Sequence, residues 1–188
     1  MKDEVYYSII CGVILTAIAI PVIADYLTPL EIPIERPRLK HAEMWNYTSG
    51  GVGYQFEIAD DNIYYNLTGL SEGYNDAFDY VSETQVNGGS YLRANVAGHY
   101  KVTYSMSFES TNVGGLYGVS IGHNWDQNTH RNCYARRAAS NSVGSMSITC
   151  FMDIDVEDNV SIMVESENTD RDIWIHTANI NLIRVGGI

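Results

Sequence analysis

The sequence predicts an all-β head, a sandwich or barrel of antiparallel strands, behind one membrane-spanning helix. Three observations carry that expectation. Residues 97 to 110, AGHYKVTYSMSFES, alternate Tyr100, Val102, Tyr104, Met106 and Phe108 with Lys101, Thr103, Ser105 and Ser107. Successive strand side chains point to opposite faces, so this period of two gives one face for a core and one for water or a partner. Shorter runs of the same kind recur between glycine- and asparagine-rich turns, with no helical period of useful length from Trp45 onward. At the N-terminus, Val5 to Ala24 form an uncharged apolar run.

That run, VYYSIICGVILTAIAIPVIA, is long enough as a helix to cross about 30 Å, the thickness of a hydrocarbon core. Its apolar surface would be supplied by Val5, Tyr6, Tyr7, Ile9, Ile10, Val13, Ile14, Leu15, Ile18, Ile20, Val22 and Ile23, with Tyr6, Tyr7 and Tyr26 near the interfaces. A cleaved signal peptide is the rival reading. Asp3 and Glu4 ahead of the run, its length, and the lack of a clean A-x-A site favour a retained anchor in residues 1–26. Residues 27–44 read as a stalk, because Pro29, Pro33 and Pro37 forbid a regular helix. Arg36, Arg38 and Lys40 form the basic cluster of the chain, a candidate contact for lipid headgroups or an acidic neighbour. The head is expected over residues 45–188.

Orientation signals conflict. The basic cluster weakly places the head on the cytoplasmic side. N-x-S/T sequons at Asn46, Asn66 and Asn159 would matter only for an exported head. A net charge of −12 argues against nucleic-acid partners, which need a clustered basic face. Three cysteines are too few for a disulfide scaffold. Cys150 falls on an apolar strand face and reads as a buried free thiol, with a Cys133–Cys150 bridge as the alternative.

The further runs are Tyr54–Ile58, Ile63–Leu67, Tyr117–Ile121, Met146–Ile154, Val160–Val164 and Ala178–Leu182. Their order carries a resemblance. Gly98-His99-Tyr100 opens an aromatic-rich strand; YGVSIGHN, residues 117–124, is a short strand ending in an asparagine turn. SMSITCFMDIDVEDNVSIMVE, residues 145–165, is a strand pair around a tight turn; Ala178, Ile180 and Leu182 form a last A-x-I-x-L strand. Together they resemble the C1q/tumour-necrosis-factor-like jelly roll. Asp158 stands where that pattern has glycine and Asn159 where it has aspartate. The resemblance implies a jelly-roll sandwich, a homotrimer packed through aromatic residues, and a binding or structural role. The tyrosine surplus, 14 residues, suits such an interface.

Motifs for chemistry are weak. GVSIG, residues 118–122, matches G-x-S-x-G, but no helix follows Ser120 as a nucleophile elbow requires. His123, Trp125 and His130 share a loop and are candidates for recognition at a loop tip. The two histidines lack metal-ligand spacing and read otherwise as solvated loop residues, and Trp125 as a ring folded onto its own loop. Asp153, Asp155, Glu157 and Asp158 are weak candidates for calcium, since a strand and short turn wrap a cation poorly. Arg136 and Arg137 are expected to meet carboxylates across a subunit contact. No enzyme and no cofactor are expected.

Two settings follow. The favoured one is a virion structural protein, its head held beside a membrane among other capsid proteins. That setting reconciles the orientation signals by keeping the head cytoplasmic, its cysteines reduced and its sequons unused. The alternative is a cell-surface ligand or adhesin, with an exported head that has room for a Cys133–Cys150 bridge.

Overall fold

The computed structural model describes residues 39–48, 53–83, 89–110, 114–124, 133–139, 142–167 and 172–187. The anchor, Arg36, Arg38, Trp125 and His130 lie outside them. Among the described residues no helix is long and apolar enough to cross a membrane.

Twelve strands follow one another: β1 (His41–Tyr47), β2 (Tyr54–Phe56), β3 (Tyr65–Asn66), β4 (Ser71–Glu72), β5 (Phe78–Ser82), β6 (Ser90–Ala94), β7 (Gly98–Ser110), β8 (Gly115–His123), β9 (Tyr134–Ala139), β10 (Gly144–Ile154), β11 (Asn159–Ser166) and β12 (Ile173–Gly186). They form two six-stranded antiparallel sheets. The first runs β10-β7-β12-β1-β4, with β2 also on β12; the second runs β5-β6-β11-β8-β9, with β3 also on β11. His41–Met44, expected in the stalk, form the first half of β1, whose register runs from His41↔Ile183 to Tyr47↔Thr177.

Alternation decides which face is inside. From the first sheet Ala42, Met44, Tyr100, Val102, Tyr104, Met106, Phe108, Ile180 and Leu182 are buried, and from the second Leu92, Tyr117, Val119, Ile121, Val160, Ile162 and Val164. Each such side chain contributes about 1.5–3 kcal/mol relative to exposure. Tyr104 adds a tie between layers, its phenol donating to the Val119 carbonyl at 2.9 Å. Burial pushes that phenol's pKa up, so it stays protonated as the donor it must be.

Three glycines belong to strands rather than to turns. Gly98 is not a turn residue but the first residue of β7, and a Cβ there would lie 2.6 Å from the Gly186 carbonyl oxygen. Gly122 does not end a strand. Together Gly118 and Gly122 sit within β8 and leave room for Glu165 and Met163 of β11, to which a Cβ would approach within 2.5 and 2.7 Å. The asparagine turn is present one residue beyond β8, with Asn124 at φ 53°.

Cys150 is not a free thiol. It is bonded to Cys133, S–S 2.01 Å, and both are buried in the core. Because β9 and β10 are edge strands of opposite sheets, the bridge joins the two layers along one side.

Candidate functional site

The first sheet buries one face and leaves the other open. Its registers align three rungs across β10, β7 and β12: Ser145, Ser107 and Thr177; Ser147, Ser105 and Asn179; Thr149, Thr103 and Asn181. These nine side chains are small, polar and uncharged, in a protein whose net charge is −12. Several bond to one another: Thr103 to Thr149 at 3.0 Å, Ser105 to Asn179 at 2.7 Å, and Ser107 to Thr177 at 2.6 Å. A hydroxyl already bonded to its neighbour costs less to remove from water than a lone one.

Aromatic residues rim this block. β1 sets Tyr47 opposite Thr177 and Trp45 opposite Asn179, and they are 67% and 43% exposed. At the other edge Phe151 of β10 is 63% exposed, on a rung with Lys101 and Ile183. Beside Trp45 a shallow depression is lined by Glu43, Met44, Asn179 and Asn181. Exposed large aromatics and a lack of charge are two marks of a protein contact surface; the serines and threonines between them are not.

Three histidines border the same face, each beside a carboxylate. His99 Nδ1 is bonded to Asp153 Oδ1. His41 Nε2 lies 3.8 Å from Glu43 Oε2, and its ring stacks on Tyr74. His176 stands at the β-bulge between Ile175 and Thr177; its buried Nε2 has no hydrogen-bond partner and lies 3.8 Å from Glu109 Oε1.

The residues singled out from sequence are dispersed by the fold. Lys40 does not present a free charge: its Nζ donates to the Asp76 carbonyl at 3.2 Å and lies 4.0 Å from the Asp76 carboxylate. His123 is a half-buried residue at the end of β8, not a solvated loop residue, with Nε2 2.7 Å from Asp158 Oδ2. Ser120 is buried in the middle of β8, opposite Tyr134 and Met163. Arg136 pairs with Glu167 of its own chain, and Arg137 donates to the Ser145 carbonyl.

The acidic run points in different directions. Asp153 meets His99 on the open face. Asp158 turns inward, accepting from Asn124 Nδ2 at 2.6 Å and from the Asp155 N–H at 2.8 Å. Burial opposes its charge, but those bonds and His123 outweigh it and hold the carboxyl below its ordinary pKa. Glu157 carries φ 71°, so the left-handed position of this turn is Glu157 rather than Asp158, where the resemblance put glycine. Among the described residues no group of three His, Cys, Asp or Glu is placed to hold a metal ion.

The three histidine pairs and the uncharged block were not singled out from sequence. Their signal is the run of serine and threonine between aromatics in β7, which gains meaning only when β10 and β12 line up beside it.

The second sheet's outer face is filled by its own side chains. Glu165 of the central strand β11 and Glu167 just beyond it gather the phenols of Tyr64 and Tyr134, whose pKa values burial and the two carboxylates push up. This cluster is structural packing around Gly118 rather than an open site.

Comparison with known proteins fits this architecture. No protein-family model matches the chain, and no curated protein matches it in sequence. Among solved structures it is similar to Eiger, a TNF of S. frugiperda, with a TM-score of 0.55 and 5% identity over 80% of this chain and 94% of that one. It is also matched by murine APRIL, TM-score 0.48 and 11% identity, over 78% of this chain and the whole of the other. The head is therefore a TNF-like jelly-roll β-sandwich; at 5% identity the likeness to Eiger concerns the fold alone.

Proposed function

We propose that the head is a homotrimeric, non-enzymatic binding module displayed at a cell surface, a ligand or adhesin of TNF-like build. The carrying observation is the open face of the first sheet: nine uncharged polar side chains rimmed by Trp45, Tyr47 and Phe151 on a TNF-like sandwich. A copy of an acidic chain is repelled by most acidic surface, and this face is where a neighbour meets least like charge. The aromatic residues lie on opposite sides of the block, on β1 and on the edge strand β10, as a ring needs when one protomer's edge packs on the next one's face.

The Cys133–Cys150 bridge supports an exported head over a cytoplasmic one, since cytosolic thiols are kept reduced. The virion reading, which reconciled the orientation signals, required reduced cysteines, and nothing in the fold supports it separately. An exported head leaves the basic cluster on the outer side, against the charge bias, but that bias was weak and Lys40 is already engaged by Asp76. Apolar residues 5–24 would then tether the head.

Sedimentation of the full-length protein in non-ionic detergent tests the reading. A single species of trimeric mass is expected; a monomer at micromolar concentration defeats it.

A further inference from the structure

The fold treats the three N-x-S/T sequons of the head differently. Asn46-Tyr47-Thr48 ends β1, Asn66-Leu67-Thr68 leaves β3, and Asn159-Val160-Ser161 opens β11. We propose that Asn66 carries an N-linked oligosaccharide, which marks the outer face of the second sheet as the side turned away from the trimer contact. This rests on the exported reading of the head, because sequons are acceptors only in exported chains.

A glycosylated asparagine is a secondary amide, planar and trans like a peptide bond. The first sugar then lies on the same side of the C–N bond as Oδ1, so an Oδ1 shut away from solvent leaves it no room. Asn46 and Asn159 both bury Oδ1, and neither oxygen has a hydrogen-bond partner. Asn46 also turns Nδ2 onto the Gly69 carbonyl, on the inward side of β1 opposite the buried Ala178. Asn159 is pinned through its main chain: its N–H donates to Asn124 Oδ1 at 2.9 Å, and its carbonyl accepts from the Asn124 N–H at 2.9 Å.

Asn66 is arranged the other way. It stands opposite Met163 on the outer side of β11, while its neighbour Leu67 is buried in the core. Ser161 Oγ donates to its Oδ1 at 2.8 Å and fixes the carboxamide. A Cβ on Gly89 would come within 2.5 Å of the Asn66 Cβ, so the stem is held as well. Nδ2 is not buried, and among the described residues nothing bonds to it. Beyond β3 there is no further strand among the described residues, and a glycan there shields a sheet edge from pairing with another chain. The uncharged block belongs to the opposite sheet, so assembly through it leaves Asn66 uncovered.

The donor class is an oligosaccharide joined through a diphosphate to a polyprenol lipid. Asn66 Nδ2 attacks the anomeric carbon of the first sugar, and the new N–C bond forms as the C–O bond to the diphosphate breaks. The lipid diphosphate leaves with the bonding pair, and the displaced Nδ2 proton passes to solvent.

The test is production of the full-length chain in secretory eukaryotic cells, then peptide N-glycosidase digestion in heavy-oxygen water and mass mapping of the sequon peptides. One glycan is expected, on Asn66, with the mobility shift lost in N66Q. Should N66Q fold poorly, T68A serves independently, since it removes the sequon at an exposed residue and leaves Asn66 in place. Glycosylated and enzyme-trimmed protein are expected to sediment as the same trimer. Ser147→Asn creates a sequon with Thr149 on the open face, and a glycan there is expected to reduce the protein to monomers. An unmodified Asn66 in a chain whose Cys133–Cys150 bridge has formed overturns the inference and leaves the exported reading standing. Glycans on Asn46 or Asn159 of the folded trimer overturn it too. Glycosylated S147N that still forms trimers overturns the placement of the contact on the open face. A chain with neither bridge nor glycan overturns the inference and the exported reading together.

Discussion

Cys133, immediately before β9, is bonded to Cys150 on the edge strand β10, with Cα atoms 5.4 Å apart and a sequence separation of 17. The bond thereby closes one side of the sandwich, where the second sheet ends at β9 and the first at β10. Arg137 reinforces the same seam by donating to the Ser145 carbonyl.

Removing the bridge frees a loop of modest length in the unfolded chain and leaves two apolar positions to repack. C133A/C150A is expected to lose about 3 kcal/mol of stability to denaturant, with the midpoint shifted and the slope little changed. In protein from its native source the intact mass should rise by two hydrogens on reduction. Free thiols at both positions before reduction contradict the bridge and weaken the exported reading.

Glu157 holds a left-handed conformation, φ 71°, in the turn between β10 and β11, where its N–H donates to the Ala94 carbonyl at 2.8 Å. A side chain costs about 1–2 kcal/mol there, while glycine loses somewhat more entropy on folding. Glu157→Gly should therefore stabilise the protein by about 0.5–1 kcal/mol, read as a raised Tm. Asp158→Gly should do the opposite, because it removes the acceptor that holds Asn124 and His123.

The Asp158 carboxyl has a folded-state pKa below its unfolded value. Such a group contributes stability that is fully present above the unfolded pKa and lost as pH falls through the folded one. Wild type should thus lose stability progressively below about pH 4. Asp158→Asn should be less stable at pH 7, and the gap to wild type should narrow toward pH 2. A gap of constant size across that range contradicts the assignment.

Long strands with one wet face were legible in the sequence, and β7, β10 and β12 emerge as expected because their inward and outward residues differ in kind. Others hid for physical reasons. In β6 Tyr91 is buried on the outer face while Leu92 is buried in the core, so no alternation shows. In β11 every residue after Asn159 is buried, including Glu165, because glycines of β8 let its outer side chains fold down. β9, YARRAA, reads as a basic pair until Arg136 meets Glu167. The open face was half legible: its polarity shows in one strand, but its lack of charge is a property of three strands in register.

The aromatic rim makes the last prediction. Phe151 and Tyr47 are 63% and 67% exposed, so neither is held by the core, and a polar residue at either position should leave the isolated fold intact. Their role under the trimer reading is to be covered by a neighbour, where a buried aromatic anchor contributes about 2 kcal/mol or more. Phe151→Ser is therefore expected to raise the half-assembly concentration by about thirtyfold, without lowering the denaturation midpoint measured below the assembly threshold. Val185→Ser, also at an exposed apolar residue but near the end of β12 and off the uncharged block, serves as the control. If Phe151→Ser and Val185→Ser shift assembly equally, the open face is not the contact.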